Sequence, residues 1–373
     1  MSQVPDVIIA GAGIVGAACA LELAQGGAKV AVYDKGVVSG GASAAGMGHL
    51  CVMDDSEAQF QMTRYSLDLW SRISPTLPPS AAHIHCGTLW VAADEEEMAE
   101  ARRKCDFYRP RGIPAEVLDA KQLAEAEPNL RPGLAGGLLL PADSVLYQPA
   151  VARWMLDEAC KLGATVHTNQ SIAAIEDDGL HMADGAITAG GRMVNATGAW
   201  AGQLTRNTAV KPKKGHLMVT ERAPDFCFHE VVELAYIKSS NSGATEAVAF
   251  NVAPRPTGQV LIGSCRQLGV WDPEIDRNIL NKMLRRAIEY MPGLAQLRGI
   301  RTWTGFRAAT RDSLPLIGPC PGYENVWLAT GHEGLGIGIC TGTAKVLAAQ
   351  MLGTPCEIPV DGYLPSREAA RNA

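Results

Sequence analysis

A glycine-rich turn near the start of the chain has the residue types that bind a pyrophosphate. The apolar run Val7–Ala10 leads directly into GAGIVG at 11–16, which predicts a strand, a GxGxxG turn and a helix beginning at about Ile14. In this pattern the first glycine permits a tight turn, the second lets the backbone approach phosphates, and the third lets the helix pack closely on the strand. The N–H groups and the positive dipole end of that helix favour a bound anion.

An acidic residue follows at the distance expected for a dinucleotide site. The apolar run at 30–33 ends at Asp34, roughly 20 residues after the glycine turn. A carboxylate at this point accepts hydrogen bonds from the two ribose hydroxyls of an adenine dinucleotide, and its charge disfavours a 2′-phosphate. The spacing leaves open which dinucleotide binds, and an ordinary α/β turn with a surface aspartate would show the same local pattern.

The bulk composition excludes several classes of protein. A chain of 373 residues can bury a large core and usually forms two domains. The net charge of −6 argues against binding to nucleic acid or to an anionic membrane surface. No apolar run approaches the length of a membrane span, and the first residues carry no positive charge of the kind that begins a secretory signal. We therefore expect a cytoplasmic protein without a transmembrane segment.

The cysteines give no sign of a metal site. The chain has ten of them, and no two stand in a CxxC or similar ligand spacing. Zinc and iron–sulfur centres of the usual sequence form are therefore not expected. In a cytosolic chain we expect reduced and mostly buried thiols.

The hydrophobic pattern predicts alternating helices and strands around the glycine turn. Helices are expected at about 56–71, 94–103, 150–162, 276–291 and 338–351, and strands at 165–167, 172–176, 193–196 and 326–329. The charged segment at 94–103 is typical of a solvated surface helix. Between 211 and 269 apolar and polar residues alternate with turn signals, which predicts antiparallel strands. These patterns indicate a nucleotide-binding domain assembled from separated segments, with an antiparallel-sheet domain inserted.

Three further motifs accompany the glycine turn. They are the turn NATGAW at 195–200, the segment TGFR at 304–307 with Asp312 and PLIG at 315–318, and the turn ATGHEGLGIG at 329–338. With these motifs in this order, nearly the whole chain resembles the D-amino acid oxidase superfamily of flavoproteins, which includes glycine oxidase, sarcosine oxidase and D-amino acid dehydrogenases. The resemblance implies FAD as the dinucleotide.

The resemblance also implies the fold and its division. We expect an α/β fold with a Rossmann-like FAD-binding domain of the glutathione-reductase type, built from discontinuous segments, and an α+β substrate domain with an antiparallel sheet. The expected FAD-binding domain comprises 1–80, 141–210 and 307–373. The expected substrate-binding domain comprises 81–140 and 211–306.

Residues that match the family motifs are assigned to FAD by resemblance. They are Gly11, Gly13, Ile14, Val15 and Gly16 at the pyrophosphate; Asp34 and Lys35 at the ribose; Ala42, Ser43, Ala45, Gly46 and Met47 beside pyrophosphate and flavin; Ile172, whose backbone would pair with adenine; Gly198 against the cofactor; and Gly331, His332, Gly334, Gly336 and Ile337 at the flavin ring. A helix N-terminus aimed at the flavin would stabilise the negative charge of the reduced ring.

Arg307 matches the family arginine that binds the substrate carboxylate, and a guanidinium does so through two parallel hydrogen bonds. Without the motif, Arg307 would be interpreted as a surface ion-pair residue. His49, Tyr236 and Asn251 lie near positions that line the substrate side in relatives, and ordinary packing roles remain equally open for them. His216 is interpreted as structural.

Three departures from the family patterns bear on the site. The second arginine of the glycine oxidase pattern falls at Gly334, which implies a different or roomier pocket. The cysteine that binds flavin covalently in monomeric sarcosine oxidase falls at Gly305, which implies noncovalent FAD. Ala308 and Ala309 also replace the usual proline after the arginine.

The implied reaction is FAD-dependent oxidation of a small amino or imino acid of D-amino acid, N-alkyl glycine or D-proline type. A hydride would pass from Cα to flavin N5 and leave an imine. If an apolar pocket binds the amine in its neutral form, no strong protein base is needed. A 2-hydroxy-acid dehydrogenase, a noncatalytic FAD-binding subunit and an NAD-dependent dehydrogenase remain open. So do the electron acceptor, oxygen or another, and partner redox subunits of the kind found with D-hydroxyproline-type dehydrogenases.

Overall fold

The computed structural model describes residues 4–235 and 245–367. The helices are α1 (Ile14–Gln25), α2 (Glu57–Ile73), α3 (Glu95–Tyr108), α4 (Ala120–Ala126), α5 (Gln148–Lys161), α6 (Ala201–Leu204), α7 (Arg277–Tyr290) and α8 (Gly336–Leu352). The strands are β1 (Val7–Ala10), β2 (Val30–Tyr33), β3 (His49–Leu50), β4 (Thr88–Ala92), β5 (Glu116–Asp119), β6 (Gly136–Leu140), β7 (Ser144–Val145), β8 (Thr165–His167), β9 (Ile172–Glu176), β10 (Gly179–Met182), β11 (Ile187–Thr188), β12 (Arg192–Asn195), β13 (Lys211–Arg222), β14 (Glu230–Glu233), β15 (Glu246–Pro254), β16 (Gln259–Leu268), β17 (Gly299–Ala309), β18 (Leu316–Pro319) and β19 (Val326–Thr330).

A six-stranded sheet in the order β18-β19-β12-β1-β2-β8 forms the centre of one half of the molecule. Its neighbours are parallel except for the antiparallel pair β18 and β19. Val7 and Ile9 face the core formed with α1, α5 and α8, whereas Ile8 and Ala10 face the three-stranded sheet β11-β10-β9. Burial on both faces explains why β1 is continuously apolar. The expected α/β fold with a largely parallel sheet is confirmed.

The glycine turn joins β1 to α1 as expected, and α1 begins at Ile14. Gly11 has φ +108°, a backbone conformation that favours glycine. A Cβ atom at Gly16 would lie 1.9 Å from the carbonyl oxygen of Gly11. The third glycine therefore allows the helix to approach the turn at a distance that no side chain permits.

An eight-stranded sheet in the order β17-β13-β16-β15-β14-β4-β6-β5 forms the other half. Antiparallel pairing was expected over 211–269 and is observed between β13 and β16, β15 and β16, and β14 and β15. One pair differs, because β14 runs parallel to β4. The two strands are far apart in sequence, so no hairpin dictates their relative direction.

Alternate residues of this sheet face opposite sides of it. Val231, Val252 and Cys265 belong to the core beneath α7. Their sequence neighbours Glu230 and Ser264 face the opposite side and line a cavity between the two sheets. The period of two along each strand thus separates a core face from a cavity face.

The helices expected from the sequence are present, with ends that differ by a few residues. The segment expected as a solvated helix over 94–103 forms α3, which continues to Tyr108. The helix lies at the surface as predicted, with Glu95, Glu96 and Arg102 exposed, and it buries Met98, Ala101 and Lys104 against the rest of the protein. The Lys104 ammonium pairs with the equally buried carboxylate of Asp54. Within 4–235 and 245–367, no helix is both long and apolar enough to cross a membrane.

Candidate active site

A cavity of about 700 Å³ lies between the glycine turn and the eight-stranded sheet. One side is formed by the GxGxxG turn, the end of β2, the loop at 40–48 and the start of α8. The other side is formed by alternate residues of the eight-stranded sheet. The cavity therefore brings together segments from most of the length of the chain.

The glycine turn presents main-chain atoms to the cavity. Gly11, Gly13, Ile14 and Val15 line it, whereas Gly16 packs inside the turn. The Ile14 N–H donates to Ser43 Oγ over 2.9 Å, which fixes the loop at 40–48 against the helix N-terminus. This arrangement offers a helix dipole and a hydroxyl to a phosphate at one point.

Asp34 lies at the end of β2 beside this turn. One carboxylate oxygen accepts the Ala12 N–H at 2.7 Å, and the other accepts the Gly36 N–H at 2.8 Å. These two bonds fix the orientation of the carboxylate and leave each oxygen a further lone pair for a ribose hydroxyl. Lys35 lies next to it, with its ammonium 4.0 Å from the ring centre of Trp200. Ile172 also lines this part of the cavity.

The loop at 40–48 approaches the cavity with small side chains. Ala42, Ser43, Ala45, Gly46 and Met47 all line it. A Cβ atom at Gly46 would lie 2.5 Å from Ile337 Cδ1. The loop and the start of α8 are therefore in close contact, and a larger residue at 46 would separate them.

The NATGAW turn follows β12 and is stabilised by the side chain of Asn195. Its amide donates to the carbonyl of Ala201 and to Thr205 Oγ1, and its carbonyl oxygen accepts the N–H and the hydroxyl of Thr197. Gly198 lines the cavity with φ +64°, and no heavy atom lies within 4 Å of the position its Cβ would occupy. The turn thus leaves open space beside bare backbone.

The turn before α8 combines a structural glycine, a buried histidine and cavity-lining glycines. Gly331 has φ +77° and does not line the cavity, whereas His332, Gly334, Gly336 and Ile337 do. The His332 ring is bonded to Thr343 Oγ1 at 3.0 Å, and burial lowers its pKa to about 3. His332 is therefore neutral at ordinary pH and fixes the turn.

The residues on this side fit an extended dinucleotide. A helix N-terminus, a hydroxyl, a fixed carboxylate and bare glycine backbone line one continuous cavity. A second, 17-residue helix begins at Gly336 without a side-chain cap, so its N–H groups and dipole are available to a bound group.

Arg307 lies across the cavity on β17, half-buried. Within the described residues its one hydrogen bond to protein runs from Nη1 to the carbonyl of Cys265, over 2.9 Å. A Cβ atom at Gly215 would lie 2.7 Å from Arg307 Nη1, and one at Gly334 would lie 3.8 Å from Nε. The guanidinium therefore occupies space that the missing side chain of Gly215 leaves, whereas Gly334 lies at ordinary van der Waals distance.

An ion pair lies beside this arginine. The Lys213 ammonium contacts the carboxylate of Glu333, and the Glu333 N–H donates to the carbonyl of Ala308 over 2.9 Å. Burial by itself would raise the pKa of Glu333, but the charges of Lys213 and Arg307 outweigh it and hold that pKa below its usual range. Glu333 is therefore ionised near neutral pH.

His49 and Asn251 also reach the cavity, and Tyr236 lies outside the described residues. The His49 ring is bonded through Nε2 to Thr88 Oγ1 at 2.6 Å, and its Nδ1 lies 3.6 Å from Glu230 Oε1. Burial lowers the pKa of His49 to about 3, which makes it a poor base. His216, interpreted as structural, accepts the Asp276 N–H over 2.9 Å and does not line the cavity.

Several cavity residues were missed by sequence reasoning. They are Trp200, Lys213, Glu230, Ser264, Arg266, Phe306 and Glu333. Alternation along β13, β14 and β16 predicts that every second residue shares a face, but it does not tell which face meets the cavity. No local motif distinguishes Glu230 from other glutamates in the chain.

Comparisons with known proteins agree with this architecture. A sequence model of the DAO family, described as FAD-dependent oxidoreductase, matches residues 6–350. The chain is 28% identical over 352 residues to glycine oxidase from Geobacillus kaustophilus, covering 89% of each chain. It is 26% identical over 384 residues to hydrogen cyanide synthase subunit HcnC from Pseudomonas protegens, covering 89% of this chain and 88% of that protein.

A solved structure extends the agreement to three dimensions. Glycine oxidase from Geobacillus kaustophilus superposes with a TM-score of 0.87 at 25% identity, covering 98% of this chain and 99% of that one. The family match spans the glycine turn, both sheets and most of α8. The chain belongs to the DAO family of FAD-dependent oxidoreductases.

Proposed function

We propose that this enzyme oxidises a small amino or imino acid, of D-amino acid, N-alkyl glycine or D-proline type, to an imine. The observation that carries the proposal is the position of Arg307 on the cavity wall, beside Gly334 in the turn that leads into α8. The family resemblance assigns that turn to the flavin ring. A carboxylate bound to Arg307 would therefore hold its Cα next to the cofactor.

The chain contributes binding, orientation and exclusion of water. Arg307 holds the carboxylate through two parallel N–H···O bonds, and its bond to Cys265 fixes the guanidinium plane. Apolar side chains of Met47, Leu217 and Val232 line the same cavity and favour a neutral amine over an ammonium ion. FAD, when bound, accepts the hydride that leaves Cα. The product imine then hydrolyses in water if it is acyclic.

Glycine oxidase from Geobacillus kaustophilus is named for an amino acid substrate, which supports this substrate class. The substrate proposed for this chain is bulkier than glycine. Gly334 stands where the glycine oxidase pattern has a second arginine, and it leaves the space beside Arg307 open. A panel of substrates with different side chains and rings would identify the group that occupies this space.

Noncovalent attachment of FAD is part of the proposal. A Cβ atom at Gly305 would lie 2.3 Å from Ala45 Cβ, so a cysteine at this position would not fit against the loop at 40–48. Precipitation of the purified protein with acid should therefore release all the yellow colour into the supernatant. Colour retained by the washed precipitate would contradict this attachment.

The decisive experiment is anaerobic mixing of the FAD-loaded protein with D-alanine, D-proline, sarcosine, glycine and D-lactate, one at a time. Bleaching of the visible flavin band by an amino or imino acid, but not by D-lactate, is the expected result. Bleaching by D-lactate alone would replace the proposal with 2-hydroxy-acid oxidation. Absence of bleaching by every compound, with full reduction by dithionite, would favour a subunit that requires its partner.

The electron acceptor decides whether the enzyme is an oxidase or a dehydrogenase. One relative is a subunit of hydrogen cyanide synthase, which supports an assembly in which a partner protein accepts the electrons. Admitting air after bleaching tests this point, since rapid return of colour identifies oxygen as an acceptor. Slow return indicates a dehydrogenase that transfers electrons elsewhere. The cytoplasmic location expected from the sequence stays a prediction.

A further inference from the structure

We infer that Glu230 binds the amino group of the substrate and accepts its proton, so that the amine is neutral when it is oxidised. The inference rests on the proposed function and adds a second anchor to it. Arg307 would hold the carboxylate, and Glu230 would select for nitrogen at Cα. The sequence analysis expected that no strong protein base is needed, and the present inference instead assigns the role of base to Glu230.

Glu230 lacks the hydrogen-bond partners that a buried carboxyl normally has. It is the first residue of β14, it is 0% exposed, and it nevertheless lines the cavity. In the described chain neither of its carboxyl oxygens has a partner within hydrogen-bond distance, and the same holds for Oδ1 of Asn251, which also lines the cavity. The Asn251 side chain lies near the Glu230 carboxyl and favours its ionised form. Buried polar atoms of this kind are rare and costly, so a ligand is expected to satisfy them.

The surroundings of Glu230 place the pKa of its carboxyl near the working pH of the enzyme. Burial, with a smaller contribution from the charge of Asp143, raises the pKa of Glu230 to about 8, although the positive charge of Arg255 and the side chain of Asn251 oppose the rise. The titratable groups that face it are His49, Cys51, Cys86, Asp143, Cys227 and Arg255. A group with a pKa near the working pH is suited to exchange protons with a substrate.

The titratable residues around Glu230 are less suited than Glu230 to accept a proton from the substrate. Burial lowers the pKa of His49 to about 3, so its ring is neutral and holds a proton only in strong acid. Arg255 is a permanent cation whose Nη1 donates to the carbonyl of Leu146 at 3.1 Å and whose Nη2 donates to that of Met47 at 2.6 Å. Asp143 is equally buried but does not line the cavity. Among the described carboxyls, Glu230 combines cavity access with unsatisfied oxygens.

The proton transfer balances without a further reactant. The substrate ammonium gives one proton to the Glu230 carboxylate, so one N–H bond breaks, one O–H bond forms, and no electrons are transferred. The nitrogen lone pair that is released then forms the C=N bond as the hydride leaves Cα. Both groups are neutral after the transfer, which reduces the cost of burying them. The carboxyl loses its proton to solvent after the product leaves.

Two inert ligands of the same shape test this role without turnover. 2-Aminoisobutyrate carries an ammonium group and no Cα–H, and pivalate has a methyl group in place of the amine. Each is titrated into the FAD-loaded protein while the visible flavin band is recorded at pH 6 to 9. The wild-type affinity for 2-aminoisobutyrate should rise with pH up to about 8, because the protonated Glu230 must lose its proton before it can take one from the ligand. Pivalate affinity should stay constant.

Glu230→Gln keeps the shape of the side chain and removes the base. At pH 8.5 we expect this substitution to lower the affinity for 2-aminoisobutyrate by at least ~10-fold, because a charge-assisted hydrogen bond is lost. It should also abolish the pH dependence and leave pivalate affinity within about twofold. Asp143→Asn is the matched control, since it neutralises an equally buried carboxyl outside the cavity, and the preference for the amine should survive it.

The outcomes separate this inference from the proposed function. If the wild type binds both ligands and Glu230→Gln binds 2-aminoisobutyrate with unchanged affinity and pH dependence, Glu230 has no role at the amine. Equal weakening of both ligands, with loss of FAD, would make Glu230 a structural residue and also overturn the inference. Failure of the wild type to bind either ligand would instead overturn the proposed amino-acid site itself.

Discussion

On the side of the six-stranded sheet, the cavity is lined largely by glycine, alanine and main-chain atoms. On the side of the eight-stranded sheet, it is lined by the charged side chains of Arg307, Lys213, Glu230 and Arg266. The first side is built from turns in which each contact comes from a few consecutive residues. The second is built from single residues on separate strands.

Under the proposed function, the difference accounts for the selectivity expected of each side. A pyrophosphate is bound by main-chain N–H groups and a helix dipole, so the sequence must supply glycines where the backbone approaches the ligand. A small substrate offers few atoms, so its recognition depends on individual charges placed by the fold. Mutations on the first side should affect the cofactor, and mutations on the second should affect the substrate.

The largest effect is expected from Gly16→Val. A Cβ atom at this position would lie 1.9 Å from the carbonyl oxygen of Gly11, and the turn cannot accommodate it without moving. We expect protein that is colourless, or that does not fold, because the phosphate-binding turn is displaced. The measurement is the ratio of flavin to protein absorbance after purification.

Gly334→Ala is the matched control for this variant. A Cβ atom there would meet nothing closer than 3.8 Å, and the nearest atom belongs to the Arg307 side chain. This variant should retain FAD. Equal loss of FAD in both variants would show that the collision at Gly16 is not the cause of the loss.

Arg307→Ala should keep FAD but raise KM for the amino acid by about 100-fold, which corresponds to about 3 kcal/mol for a charged hydrogen-bonded pair. Steady-state kinetics of the FAD-loaded variant provide the measurement. Arg301→Ala changes an exposed arginine of the same strand and should leave KM unaltered. Kinetics of Arg307→Ala that match the wild type would remove Arg307 from the site.

Lys213→Met should destabilise the protein at neutral pH by about 2 kcal/mol, because it leaves the Glu333 carboxylate without its ion-pair partner. The pKa of Glu333 is lowered in the folded state. In the unfolded chain a glutamate has a pKa of about 4.3, and above that pH the ion pair contributes its full stabilisation. The stabilisation is lost as the pH falls through the pKa of Glu333 in the folded protein, which is lower.

Thermal unfolding of the wild type and of Lys213→Met at several pH values measures this effect. The difference in Tm between the two proteins should be largest near pH 7 and should shrink as the pH falls below 4. Lys211→Met, an exposed position two residues earlier on β13, provides the control. A Tm difference that grows on acidification would contradict the pairing.

The smallest effect is expected from Thr343→Val. It removes the 3.0 Å bond to His332 behind the flavin-side turn and should cost about 1 kcal/mol of stability. Because His332 is neutral and its described hydrogen bond is to Thr343, KM should change less than twofold. A large change in KM would show that the two sides of the cavity are coupled through this turn.

The glycine turn, Asp34, the NATGAW turn and the turn before α8 could be predicted because each is a local device. Their function requires particular residue types at fixed offsets, and the offsets survive in the sequence. The register of the eight-stranded sheet could not be predicted in the same way. The parallel pair of β14 with β4 depends on a contact between distant segments.

The substrate side shows the same limit more sharply. Arg307 was found through a motif that the family shares, whereas Glu230 lies in a strand with no motif around it. The position of Glu230 in the cavity depends on which face of β14 it occupies and on the pairing of β14 with β15, which carries Asn251. It also depends on the approach of His49 from a distant part of the chain. None of these relations is contained in the residues adjacent to Glu230.

The sequence by itself determined the dinucleotide turn, the order of helices and strands around it and the family to which the chain belongs, since these depend on short-range backbone geometry and hydrophobic period. The tertiary structure alone decided which charged side chains meet inside the cavity and which lose contact with water. Those properties arise because strands far apart in the chain become neighbours in one sheet, and burial then sets the pKa values of Glu230, His49 and Glu333.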